Sequence, residues 1–150
     1  MDATNRRVVV FTLLKPGARV PVYFSSQAAG ADVFAYLEED VVIGPGRVVV
    51  IPTGLRFAIP DGFEMQVRSR SGLALKQGVI VLNSPGTIDS DYCGELKVIL
   101  VNHGSESFTV IPGMRIAQFV LAPVYRAEFV LEERLEATLR NEGGFGHTGQ

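Results

Sequence analysis

The sequence predicts an all-β subunit of jelly-roll or barrel type, and two patterns carry that prediction. One is a series of short β-rich runs cut at close intervals by Gly and Pro. The other is alternation: in "GFEMQVR", Phe63, Met65 and Val67 interleave with Glu64, Gln66 and Arg68, as in a strand with one wet face. The length, 150 residues, suits one domain able to bury about two thirds of its unfolded surface. With 47% hydrophobic residues, 20% charged residues and a net charge of −2, the chain is neither a disordered segment nor a basic duplex-binding protein. Its one cysteine, Cys93, excludes an internal disulfide and is compatible with a reducing cytosol.

The first run, "VVVFTLL", follows Arg6-Arg7 but stops at Lys15-Pro16-Gly17 without a small-x-small cleavage site, so it reads as a strand rather than a secretory signal. No apolar stretch approaches the roughly 18 residues of a membrane span, and the expected location is the cytoplasm. The runs "PVYF", "ADVFAYL", "VVI", "RVVVIP", "LRFAI", "FEMQV", "GVIVL", "ELKVILV", "SFTVI", "RIAQFVL" and "AEFVL" follow, with turn segments such as "GPG", "PTG", "PDG" and "PGM" between them. "RVVVIP" and "KVILV" are apolar on both faces, which predicts burial between sheets or against another subunit. One helix is predicted in "SRSGLALKQG", with Ser69 or Ser71 as its cap and Gly78 at its end. In "LEERLEATLR" the leucines recur every fourth residue, a helical spacing.

Several segments carry candidate chemistry. "GTIDSDYCGELKV" reads as a hairpin with Cys93-Gly94 near its tip, and in an extended segment Asp89 and Asp91 point to the same side. Such a pair suits a shared metal or a base with its orienter, although turns are rich in Asp simply because it solvates them. "VRSRSGLA" sets Arg68, Arg70, Ser69 and Ser71 before a glycine, either a phosphate cradle or a capped surface helix. It lacks the GxxxxGK[ST] pattern of a Walker A loop. Gln118 interrupts an apolar strand and needs hydrogen bonds from backbone or ligand, and Asp32 sits among small residues in "AAGADVFA". His103 and His147 lack partners at zinc spacing.

In order and spacing, "AGADVFA", "RSRSGLA", "GTIDSDYCGELKV", "RIAQFV" and "RNEGGFGHTG" resemble the five motifs of the trimeric deoxyuridine triphosphatases (dUTPases), a likeness running from about Val8 to Gly149. The resemblance implies a homotrimer of distorted jelly-roll, β-clip subunits whose active sites each draw on all three chains. It divides the chain into a β-barrel domain, residues 1–139, and a flexible arm, residues 140–150, closing over a neighbour's site. Extended or irregular structure is then expected for "LEERLEATLR", against its periodicity. The implied reaction is Mg2+-assisted hydrolysis of dUTP to dUMP and pyrophosphate, which limits uracil in DNA and supplies dUMP for thymidylate synthesis.

By the same resemblance Asp89 activates the water that attacks the α-phosphorus. Arg70, Ser71 and Gly72 bind phosphates with Gln118 beside them, and Asp32 reaches the triphosphate-held Mg2+ through water. Asn83 with Thr87, Ile88 and Lys97 reads the uracil edge, and Tyr92 packs under the deoxyribose and excludes a ribose. On the arm, Arg140 approaches the γ-phosphate, Phe145 stacks on uracil, and Gly146, His147 and Thr148 complete the phosphate contacts. No nucleic acid or membrane partner is implied. Ser69, Cys93 and Asn141 depart from the commonest residues at their positions, proline, arginine or glutamine, and glycine. The nearest rival is a deoxycytidine triphosphate deaminase, which shares the fold but uses a ring-directed glutamate and lacks a glycine-rich tail. The other is a non-catalytic trimer that kept only the fold.

Overall fold

The computed structural model describes residues 7–138 and 140–144. Ten strands and one helix follow one another in the order β1 (Phe11–Leu14), β2 (Ala31–Phe34), β3 (Val41–Ile43), β4 (Val48–Ala58), β5 (Phe63–Arg68), α1 (Ser71–Gln77), β6 (Val79–Val81), β7 (Gly86–Ile88), β8 (Leu96–Asn102), β9 (Phe108–Val110) and β10 (Arg115–Pro123). They form one four-stranded sheet ordered β1-β4-β8-β6, a second ordered β2-β10-β5-β7, and a small β3-β9 pair. The all-β prediction holds, with the single short helix where it was expected. Among the described residues no helix is long and apolar enough to cross a membrane.

Alternation sorts the strands between core and solvent. Phe119 of β10, 2% exposed, meets Phe57 of β4 edge-to-face at 5.5 Å between ring centroids, joining the two large sheets. Around this contact the core draws Ile51, Leu55, Val98 and Leu100 from the first sheet, Val33, Val67 and Ala117 from the second, and Ile43 and Val110 from the small pair. One buried polar side chain, that of Asn102, finds partners for all its polar atoms. Asn102 donates to the Ile43 and Glu106 carbonyls, each at 2.8 Å, and accepts from the Gly104 N–H, tying the β8 end to the loop before β9.

Five sequence expectations are corrected. "PTG" is not a turn between strands: β4 runs through it, with a register shift between Pro52 and Leu55. Gly54 takes φ +68° there, and a Cβ would lie 2.6 Å from that of Ala18, so the bulge requires glycine. Thr53 closes it, donating to the Leu96 carbonyl at 2.7 Å and accepting from the Leu55 N–H. "PVYF" makes only a bridge between Val22 and Asp32, and "AEFVL" forms no strand. The segment Gly86 to Val98 is not a paired hairpin, because β7 pairs with β5 in one sheet and β8 with β4 and β6 in the other. Asp89 and Asp91 flank a turn closed by the Tyr92 N–H on the Asp89 carbonyl, not an extended segment. Neither serine caps α1. Arg70 is its N-cap residue without a side-chain cap, and the Ser69 hydroxyl instead accepts from the Val81 N–H at 2.9 Å.

Gly78 ends α1 in the left-handed region, as expected, and residues 131–138 are irregular and exposed rather than helical. Exposure there is strongly apolar: Tyr125, Phe129, Leu131 and Leu135 are each largely in solvent. Val48 and Val50 of β4 are also half exposed, so the "RVVVIP" run is not covered on both faces within one chain.

Glu95 anchors the bulge to the first strand. Its carboxylate accepts from Lys15 Nζ at 2.8 Å and from the Gly54 N–H at 3.2 Å. The Lys15 hydrogen bond, which outweighs desolvation, holds its pKa below the ordinary value. A carboxyl depressed by folding stabilises at pH above its unfolded pKa, and that contribution disappears as pH falls through the folded pKa. Glu95→Gln is therefore expected to be less stable than the parent chain at pH 7. Chemical denaturation across pH 7 to 3 should show that difference shrinking with acidification.

Candidate active site

The second sheet brings residues of the first, second and fourth predicted motifs into one row. Register pairs Asp32 of β2 with Gln118 of β10, and Gln118 with Arg68 of β5. Directly opposed residues of antiparallel strands share a face, so these three point away from the core, while Ala31, Phe119 and Val67, one position along, point into it. Beyond Arg68 the chain leaves β5 through Ser69 to Arg70, which turns back over the row. The core packing thus places the polar residues as a set.

Asp32 is buried, and two guanidinium groups compensate its charge. Arg115 Nη1 donates to Asp32 Oδ2 at 3.0 Å, and Arg70 Nη2 lies 3.4 Å from the same oxygen. Arg70 Nη1 also donates to the Arg115 carbonyl at 3.1 Å. Gln118 stands beside this cluster, half buried, and its amide has no hydrogen-bond partner among the described residues. Gly30 makes room for it, since a Cβ there would lie 2.8 Å from Gln118 Oε1 and 3.2 Å from its Cβ.

Arg115 was not singled out from the sequence. It stands three positions before Gln118, and in a regular strand an odd offset sends side chains to opposite faces. A register shift between Arg115 and Ala117 reverses that relation. Its signal was present only as an arginine entering an apolar strand. Phe24, whose ring lies 4.7 Å from the Arg115 guanidinium carbon, was missed with it.

The remaining predicted residues occupy a second region. Thr87 and Ile88 sit on β7 opposite Gln66 and Met65, with Ile88 packed on the core. Asn83 lies against Gly86, where a Cβ would stand 3.0 Å from its Nδ2. Tyr92 donates its hydroxyl to the Glu95 carbonyl at 3.0 Å and covers Gly94 so closely that a Cβ on that glycine would collide with the phenol. Lys97 is exposed on β8 opposite Pro52. Asp89 is exposed, without a side-chain partner among the described residues, and lines a cleft with Asp61, Glu64, Asp91 and Arg126. Arg70, Gly72 and Arg115 line a different cleft, with Lys76 and Phe108. Within one chain the two sets therefore do not share a pocket.

At the start of the arm, Arg140 Nε donates to the Gly143 carbonyl at 2.6 Å. Asn141 adopts φ +43°, a glycine-like conformation at a position where glycine was the expected residue. Thr138 and Asn141 exchange side-chain to backbone hydrogen bonds around it. Phe145, Gly146, His147 and Thr148 lie outside the described residues. Among the described residues no group of three His, Cys, Asp or Glu side chains is arranged to hold a metal.

The second sheet thus carries a row of carboxylate, amide and guanidinium groups, and a separate cleft holds Asp89, without a side-chain partner among the described residues. The sequence profile of the dUTPase family matches residues 17–149. A deoxyuridine 5'-triphosphate nucleotidohydrolase of Chlamydia pneumoniae is 55% identical, over 95% of this chain and 99% of that protein. One from Syntrophotalea carbinolica is 57% identical, over 88% of this chain and 90% of its own length. Among solved structures, the Staphylococcus bacteriophage 80alpha dUTPase with dUPNHPP superposes with a TM-score of 0.85 at 27% identity, covering 95% of this chain and 99% of that one. A mutant dUTPase of phage phi11 of S. aureus, described as coordinating a structural Mg(II) ion, matches with a TM-score of 0.76 at 25% identity, over 87% of this chain and 100% of that one. The chain belongs to the dUTPase family, and its activity is that of a dUTP diphosphatase.

Gly30→Ala tests the seat of Gln118. The added methyl must displace the glutamine, whose movable end limits the stability cost to about 1 kcal/mol. Turnover of dUTP is expected to fall about tenfold, the size of one lost polar contact, as read by pyrophosphate release beside a denaturation curve.

Proposed function

We propose that the chain converts dUTP to dUMP and pyrophosphate, with Asp89 activating the attacking water and Arg70, Ser71, Gly72 and Gln118 holding the phosphates. The observation that carries this reading is the half-buried Gln118 amide, which has no hydrogen-bond partner among the described residues and stands beside the Asp32 and Arg70 pair. A polar group kept half out of water without a protein partner is placed for a ligand. Nothing lies within 4 Å of a Cβ at Gly72, so the space above that glycine is open to a phosphate.

The proposed chemistry follows from charge. Carboxylates are ionised at neutral pH and serve as a base, but an anionic base is repelled by a triphosphate until that charge is offset. Arg70 supplies part of the offset, and a preorganised donor on developing charge is worth roughly 100-fold or more in rate. Mg2+ would supply the rest while bound mainly by the triphosphate, a share that fits a phosphate cluster whose carboxylate, Asp32, has its Oδ2 already facing two arginines. Asp32 would then reach it through water.

Selectivity is assigned to the segment from Asn83 to Lys97. Backbone groups of Thr87 and Ile88 with the Asn83 amide and Lys97 match a uracil edge, and a cytosine would leave one of these groups unpaired. Tyr92, fixed over Gly94 by its hydroxyl hydrogen bond, would occupy the space a ribose 2'-hydroxyl needs. Phosphate and base sets lie on different clefts of one chain, and the exposed Tyr125, Phe129 and Leu131 call for cover. Both features favour a homotrimer, with residues 1–139 as the barrel and residues 140–150 as the arm. Arg140, Phe145, Gly146, His147 and Thr148 would close it over a neighbour. An exposed free thiol at Cys93 suits a reducing cytoplasm, where the product dUMP would feed thymidylate synthesis and dUTP removal would spare DNA from uracil.

Three experiments test this proposal. Pyrophosphate release in the presence of Mg2+ is expected from dUTP, with little from dCTP, dTTP or UTP, and equal turnover of UTP would overturn it. In the same assay Asp89→Asn is expected to bind nucleotide nearly as before while losing more than about 1,000-fold in rate. Deleting residues 143–150 tests the arm: a folded trimer by sedimentation with severely reduced turnover is expected.

A further inference from the structure

We propose that Arg115, steadied by the ring of Phe24, is a positioning residue that sets the orientation of Arg70. The inference rests on the assignment of Arg70 to phosphate binding. Arg70 makes two polar contacts with the protein, and Arg115 governs both. One is the Arg115 carbonyl, which accepts from Arg70 Nη1 at 3.1 Å. The other is Asp32 Oδ2, which lies 3.4 Å from Arg70 Nη2 and is itself held by Arg115 Nη1 at 3.0 Å. The third donor type on the Arg70 fork, Nε, is buried and has no partner, so nothing else among the described residues fixes the plane of the group.

The bulge explains why one residue can do both tasks. At the register shift between Arg115 and Ala117 the ladder is interrupted, which leaves the Arg115 carbonyl open to a side-chain donor and carries its side chain to the Asp32 face. Phe24 then packs against the guanidinium of Arg115, its ring centroid 4.7 Å from Cζ. Arg115 therefore has one nitrogen on Asp32 and its guanidinium carbon over the Phe24 ring, a geometry suited to holding a neighbour. Lysine has neither the planar fork nor the stacking face, so it cannot replace arginine here.

A mutant cycle on the full-length enzyme tests the assignment. Arg115→Met is expected to raise KM for dUTP about tenfold with a smaller change in kcat, the cost of misplacing one charged donor. Arg115→Lys should not restore it. In an Asp32→Asn background the same substitution should cost at most about twofold, because its target is already lost. An undiminished tenfold cost there would show that Arg115 touches the substrate directly and would overturn the proposal. Phe24→Leu, which leaves every charge in place, is expected to raise KM about threefold and keeps the test open if Arg115→Met fails to fold. An unchanged KM in Phe24→Leu and Arg115→Met, with Arg70→Ala strongly impaired, would overturn the positioning role alone. An unimpaired Arg70→Ala would overturn the phosphate assignment beneath it.

Discussion

Phe119 sits where the two large sheets meet, and its burial sets the register of the strands on either side of it. Its neighbours across β2 and β5, Ala31 and Val67, are buried with it, and the next row along is Asp32, Gln118 and Arg68. A slip of one residue would exchange these rows. It would expose a phenylalanine worth about 2–3 kcal/mol when buried, and would press a carboxylate and a guanidinium into a dry core at several kcal/mol each. Both terms favour the same register. The polar row is thus held by apolar packing on the opposite face of the same strands, and the site is as rigid as the core behind it.

That packing creates a charge problem which the site then uses. A buried carboxylate requires compensation, and two arginines converge on one oxygen of Asp32. Neither arginine is spent entirely on this task, because each keeps part of its guanidinium near solvent. A surplus of positive charge beside an unpartnered glutamine amide is the electrostatic character that a polyphosphate requires. The segment between β7 and β8 obeys a different constraint: it links two sheets, so its conformation depends on local contacts such as Tyr92 over Gly94 rather than on ladder pairing.

Bulges account for most of the distance between the pattern of the sequence and the arrangement of the fold. "PTG" reads as a turn because Pro, Thr and Gly favour one, yet Thr53 satisfies the local backbone and Gly54 absorbs the left-handed step, so β4 continues. Arg115 reads as a residue facing away from Gln118, yet the shift at Ile116 brings both to one face. Period-two reasoning assumes an unbroken ladder and fails wherever one residue is inserted. The hairpin expected after Gly86 failed for a related reason: turn chemistry is local, whereas the choice of partner strand is made by the whole sheet.

The β class, the helix before Gly78 and the motif order that marks the family were legible in the sequence by itself. These features are written in local spacing, in glycine placement and in motif order, none of which needs a tertiary partner. Only the tertiary structure decided that Arg115 and Phe24 stand beside Asp32 and Arg70, that Gly30 seats Gln118, and that Asp89 and Arg70 face different clefts of one chain. Those relations join residues far apart in sequence through strand register and bulges, and register is settled by which faces the core can bury, a property of the assembled sheets rather than of any one run of residues.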